Sequence, residues 1–114
     1  MNQPEISHGN VVGIDTHKHL HVAALLDGLG RVLGTLAFAA TDSGTAELVV
    51  WLSEHGTTLS AGIEGTGSYG YRLTRGVQAA YISVFEVNRP DRANRRRKGK
   101  SDPVDAEAAA RAVL

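Results

Sequence analysis

The chain has no cysteine, which excludes disulfides and thiolate metal sites and fits a reducing compartment. It has no apolar run near the ~20 residues that a membrane span requires. No secretory leader is readable, because Glu5, Asp15, Lys18 and the close-set His17, His19 and His21 interrupt what would be its apolar stretch. Net charge is absent too, with 12 basic residues balancing 12 acidic ones. What remains is a chain of 114 residues with 42% hydrophobic content, enough for one compact core and too little for two. A cytoplasmic protein without a membrane partner is expected.

The zero net charge conceals an asymmetry along the chain. Residues 1–71 set Lys18 and Arg31 against seven acids, a net −5, whereas residues 72–100 set nine Lys or Arg against Glu86 and Asp91, a net +7. The last fourteen residues return to −2. A basic block of this kind is the footprint of polyanion binding, since each neutralised phosphate releases counterions. Arg89, Arg92, Arg95, Arg96, Arg97, Lys98 and Lys100 are the candidate nucleic-acid contacts. A solvated linker is the plainer reading of the same run.

Hydrophobic patterning predicts strands over Asn10–Ile14, Leu20–Leu26 and Arg31–Ala39, the last two joined by the turn residues Asp27-Gly28-Leu29-Gly30. Thr41, Asp42 or Ser43 can cap a helix carrying Leu48, Val49, Trp51 and Leu52, with Gly56 placed to end it. A fourth strand, Leu59–Ile63, runs into Glu64. A helix from about Tyr69 to Ala80 puts Tyr69, Leu73, Val77 and Ala80 along one side, and Ile82–Val87 makes a fifth strand. From Arg89 to Lys100 only Ala93 is apolar, so no face can be buried. Asp102 then suits an N-cap, Pro103 the first helical position and Asp105 the first turn, and alanines carry the helix onward.

Three antiparallel strands, then helix, strand, helix, strand, basic segment and helix, is the element order of a ribonuclease H-like α/β domain, a mixed five-stranded sheet of order 3-2-1-4-5. Strands one and four lie side by side in that arrangement, so Asp15 and Glu64 are expected in one cleft, with Asp102 and Asp105 laid over it from the closing helix. Four carboxylates in one place call for cations, and oxygen-only ligands suit Mg²⁺ or Mn²⁺. A pair of such ions serves an in-line phosphodiester displacement.

Each signal has a plainer reading. Asp15 can merely end a strand, Glu64 can be a surface acid, and Asp102 can cap a helix while also holding a metal. His17, His19 and His21 alternate as on one strand face, and solvation is expected of them before metal binding. Ser68 lacks an identifiable base and is left as a cap or phosphate contact. Gly65-Thr66-Gly67-Ser68-Tyr69-Gly70 is a GxGxxG with Glu86 about twenty residues on, the form of a dinucleotide fingerprint. It follows the fourth strand where a Rossmann domain uses its first, and Glu64 beside it would repel a pyrophosphate. A sugar-kinase or actin-like site also starts at a strand ending in Asp, but its DxGxT loop is replaced here by Asp15-Thr16-His17-Lys18. A non-catalytic nucleic-acid-binding remnant stands as the alternative function.

The segments GIDTHK, GIEGTGSYG and EVNRPDRANRRRKGKSDPVDAEAAARAVL, in that order and spacing, resemble the N-terminal domain of the DEDD transposases of bacterial insertion sequences, the bridge-RNA-guided recombinases. The resemblance covers about residues 10–114, after a flexible N-terminus at 1–9. It implies a RuvC-like fold, with Asp15, Glu64, Asp102 and Asp105 as the catalytic and metal-binding tetrad. The partners it implies are donor DNA, target DNA and a structured guide RNA, handled by a homo-oligomer in the bacterial cytoplasm at the nucleoid. Family members add a C-terminal domain that supplies a serine for covalent linkage to DNA. This sequence stops in helix-forming residues before such a domain, so it is read as a fragment whose own enzymatic activity is left open.

Overall fold

The computed structural model describes residues 9–67, 69–88 and 103–114. The expected flexible N-terminus apart from Gly9, Ser68, the basic run with its seven candidate contacts, and Asp102 lie outside the described residues. The strands are β1 (Asn10–Asp15), β2 (Leu20–Leu26), β3 (Val32–Ala39), β4 (Thr58–Glu64) and β5 (Ser83–Glu86). The helices are α1 (Asp42–Ser53), α2 (Tyr71–Ala79) and α3 (Pro103–Arg111). The sheet order is β3-β2-β1-β4-β5, as the element order predicts. β1, β2 and β3 pair antiparallel, whereas β1 with β4 and β4 with β5 pair parallel.

Local chemistry explains each boundary. The β2–β3 turn closes on Asp27, whose Oδ1 accepts from the backbone N–H groups of Leu29 and Arg31, both at 2.9 Å, while Gly30 takes a positive φ of 88°. The Arg31 N–H contributes most to holding the Asp27 carboxyl below its usual range. Of three cap candidates, Thr41 starts α1 by accepting from the Gly44 N–H at 3.0 Å. α2 begins at Tyr71, two residues later than the pattern predicts. The Gly70 N–H is committed to the Gly65 carbonyl at 2.9 Å, and helical bonding opens only with Thr74 N–H to the Gly70 carbonyl at 2.8 Å. Tyr69 therefore belongs to the loop and is exposed.

Strand alternation divides the buried residues between two faces. Val12 and Ile14 of β1, Ala23 and Leu25 of β2, Phe38 of β3 and Ala61 and Ile63 of β4 pack against Leu48 and Leu52 of α1 and Leu73 and Val77 of α2. Burying each of the larger side chains contributes about 1.5–3 kcal/mol. Val11, Val22, Ala24 and Leu26 face the other way, toward Ala106, Ala110 and Val113. β1 and β2 are therefore covered on both sides, which is why their sequences read as near-continuous apolar runs.

The α3 face is built for close approach. Gly13 and Gly62 are register partners in the β1–β4 pairing. A Cβ on Gly13 would fall on the Ala106 carbonyl and the Ala110 nitrogen, and one on Gly62 on the Ala109 carbonyl. The alanine-rich helix rests directly on strand backbone, which only glycine permits.

Candidate functional site

Asp15 and Glu64 end β1 and β4 and are register partners in the same parallel pairing. Each lies two residues beyond the glycine that seats α3, so alternation turns both carboxylates to the α3 face at the C-terminal edge of the sheet. Both are buried, at 2% exposure. The intervening isoleucines, Ile14 and Ile63, point into the opposite core. The repeated triplets Gly-Ile-Asp and Gly-Ile-Glu thus carry one function per residue: helix seat, core, acid.

The direction of α3 follows from its contacts. Ala106 packs with Val22 and Ala24, and Ala110 with Val11 and Leu26. Progress along the helix is therefore progress back along β1, so α3 runs antiparallel to β1 with its N-terminal turn toward the carboxylate edge. Asp105 sits in that first turn and is buried. The partial positive charge of the helix N-terminus favours anions at this end.

The edge is reinforced from the chain that follows β1. Thr16, 1% exposed, donates its hydroxyl to the Glu64 backbone carbonyl at 2.6 Å and so ties the two strand ends together. Gly65 takes φ 81° beside it, where a Cβ would press on the Thr16 hydroxyl. His17 brings its Nε2 to 3.6 Å from Asp15 Oδ2. The His17 backbone N–H donates to His21 Nδ1 at 3.1 Å, which places the neutral ring's proton on Nε2.

His21 corrects the expectation of three solvated histidines. β2 starts at Leu20, so His17 and His19 precede the strand, and His21 takes an inward position edge-on to Phe38 at 5.4 Å between ring centroids. Burial, helped by the charge of His17, pulls its pKa down from 6.5 to about 4. The GxGxxG glycines also have a local use. Gly65 supplies the left-handed turn, Gly70 folds back on the Gly65 carbonyl, and Thr66 Oγ1 donates to Glu86 Oε1 at 2.8 Å. The acid that a dinucleotide fingerprint would offer to a ribose instead holds its own loop.

The structure thus pairs Asp15 with Glu64 and directs Asp105 toward the same edge, while Asp102 and the basic candidates lie outside the described residues. Among the described residues no three His, Asp or Glu side chains are gathered closely enough to hold a metal ion. The donor set nonetheless suits a hard divalent cation in kind, being carboxylate oxygen with two members buried in register. Sequence reasoning missed the seats Gly13 and Gly62, the clasp Thr16 and the buried His21. The seats had a signal in the repeated Gly-Ile-acid triplet.

This architecture, with acids at the edge shared by the first and fourth strands, defines a ribonuclease H-like domain of the RuvC type. The chain is similar to RuvC from T. thermophilus, solved in complex with a Holliday junction substrate, at a TM-score of 0.63 and 12% identity over 90% of each chain. A similarity to a ROK family glucokinase from Streptomyces griseus, solved with glucose and AMPPNP, has a TM-score of 0.51 and 18% identity, covering 70% of this chain and 33% of that one. At these identities the likenesses show the fold alone. No curated protein matches the sequence. Residues 12–114 match the profile of the DEDD transposases of the IS110 type, described as transposase. The chain belongs to that family, whose business is DNA transposition. No helix among the described residues is long and apolar enough to cross a membrane.

Proposed function

We infer that this domain provides a divalent-metal carboxylate site for phosphodiester chemistry on DNA, with Asp15, Glu64, Asp102 and Asp105 as its ligands and Mg²⁺ or Mn²⁺ as its ion. The observation that carries this reading is the pairing of Asp15 with Glu64, both buried at neighbouring strand ends, beneath the helix end that bears Asp105. When bound, such a cation neutralises charge on the attacking and leaving oxygens of an in-line displacement. The residues themselves have separate tasks. Asp15 and Glu64 are fixed by the sheet, Thr16 holds their strands in step, and Asp105 arrives with α3. Residues 10–114 make up the domain, and its phosphate contacts are Arg89, Arg92, Arg95, Arg96, Arg97, Lys98 and Lys100.

The RuvC relative was solved with a Holliday junction, and branched DNA is accordingly the substrate class proposed here, as donor and target strands brought together. A structured guide RNA, assembly as a homo-oligomer, and residence in the cytoplasm at the nucleoid complete the proposal. One observation favours a second reading, a non-catalytic nucleic-acid-binding module: the described acids do not close to metal-binding distance as a group of three. Calorimetric titration with Mn²⁺ in the presence of junction DNA separates the two. Saturable binding that Asp15→Asn and Glu64→Gln each abolish is expected; the absence of ion binding in the wild type would leave the binding module.

A further inference from the structure

α2 carries a face that the core does not use. Leu73 and Val77 are buried against the sheet, while Tyr71, Arg72 and Arg75 are exposed on the other side of the helix. Arg75 stands four residues from Tyr71 and three from Arg72, so it neighbours both on the helix surface. No acid interrupts this stripe, because the helix reads YRLTRGVQA. The Arg75 guanidinium lies 5.8 Å from the centre of the Tyr71 ring and donates to its hydroxyl at 3.2 Å. Tyr71 nevertheless remains 57% exposed. With Asp42 and Gly76 the three residues line a cavity of about 400 Å³ between α1 and α2.

The position of the stripe gives it meaning. α2 begins seven residues after Glu64, at the close of the loop that leaves the carboxylate edge. α1 also starts at that edge, since Leu20 at the head of β2 pairs with Ala39 at the end of β3. The acids face α3 and the stripe lies on the opposite side of the sheet, so a strand leaving the acids reaches Tyr71, Arg72 and Arg75 by turning over the edge at which α2 begins. Two guanidinium groups on an acid-free helix suit phosphates, and a ring steadied by an arginine suits an unpaired base, whose stacking asks only for a π-face. Asp42 on the far wall keeps a polyanion to the α2 side of the groove.

We propose that the Tyr71–Arg72–Arg75 face of α2 holds the DNA strand leaving the carboxylate edge, with the arginines on its phosphates and the tyrosine stacked on an unpaired base. This rests on the DNA-processing reading above and adds contacts from residues outside the basic segment 89–100 of the sequence.

Fluorescence anisotropy with the full 114-residue chain tests it on DNA carrying unpaired bases next to a junction, on intact duplex, and on RNA of the same sequence, across a salt series. Arg72→Gln with Arg75→Gln is expected to lower the slope of log affinity against log salt by about two, one for each phosphate no longer neutralised. Tyr71→Ala is expected to weaken binding to the unpaired DNA at least about fivefold and to leave duplex binding unchanged, while Tyr71→Phe binds as the wild type does. Circular dichroism confirms that each variant is folded, and if Tyr71→Ala is not, the arginine pair decides. Wild-type binding that survives all of these changes overturns the α2 surface and leaves the proposed function standing. Sensitivity to the changes on RNA alone overturns the assignment to DNA. A wild type that binds no nucleic acid overturns both.

Discussion

Gly13 lies directly across from Gly62 in the β1–β4 pairing, and both lie under the backbone of α3. This matched pair sets the height of the helix over the sheet two residues before the acids it serves. Gly13→Ala and Gly62→Ala should each destabilise the domain by roughly 1–3 kcal/mol, because an added methyl meets backbone that cannot rotate away. The double variant should lose less than the sum, since a helix lifted by one methyl has already made room for the other. Urea denaturation of the two single variants and the double variant checks this; simple additivity would mean that the glycines do not share one seat.

The carboxylate pair predicts a metal-dependent gain in stability. An ion at a hundredfold excess over its Kd stabilises the folded state by about 2.7 kcal/mol, which for a domain of this size is a rise of about 10 °C or more in Tm. Asp15→Asn and Glu64→Gln should each remove that rise. Thermal scans with and without Mn²⁺ make the comparison, and a wild-type rise retained by both variants would place the ion elsewhere.

His21 predicts a stability that changes with pH. Its folded pKa, about 4, lies below the ordinary 6.5, so as pH falls the unfolded chain takes up the proton first. The contribution of the neutral ring is full above about pH 6.5, is lost between there and pH 4, and stays lost below; the whole step is at most about 3 kcal/mol. The stability gap between the wild type and His21→Gln should be widest near neutrality and should narrow as pH falls through that window. A gap independent of pH would show that His21 does not titrate with folding.

Thr16 predicts a loss that its closest analogue restores. Thr16→Val removes the buried donor to the Glu64 carbonyl and should cost about 1–2 kcal/mol. Thr16→Ser keeps the hydroxyl and should recover most of it, as measured by denaturation midpoint. Equal losses in the two variants would mean that the methyl, not the hydrogen bond, holds the strands.

Much of the fold was legible because β1, β2 and β4 are buried enough to announce themselves as apolar runs, and because each of β1 and β4 stops at an acid. Element order then supplied the sheet. The start of α2 was not legible, since whether Gly70 serves the loop or the helix depends on where the Gly65 carbonyl ends up. His21 was misread because a His-x-His-x-His pattern does not reveal where the strand begins; had β2 started at His19, the same residues would have formed one face. The close approach of α3 needed the structure as well, because the repeated Gly-Ile-acid triplet marks Gly13 and Gly62 without showing what rests on them. They become a matched pair only when β1 and β4 are laid side by side.

A joint of bare main chain on bare main chain has no rotamers to adjust. Whatever the first turn of α3 carries is located by rigid stops, so the reach of Asp105 toward its two fixed companions is decided remotely, by the thickness of the residues beneath the middle of the rod. On the proposed function, a change beneath the helix would silence or retune the site without altering any acid.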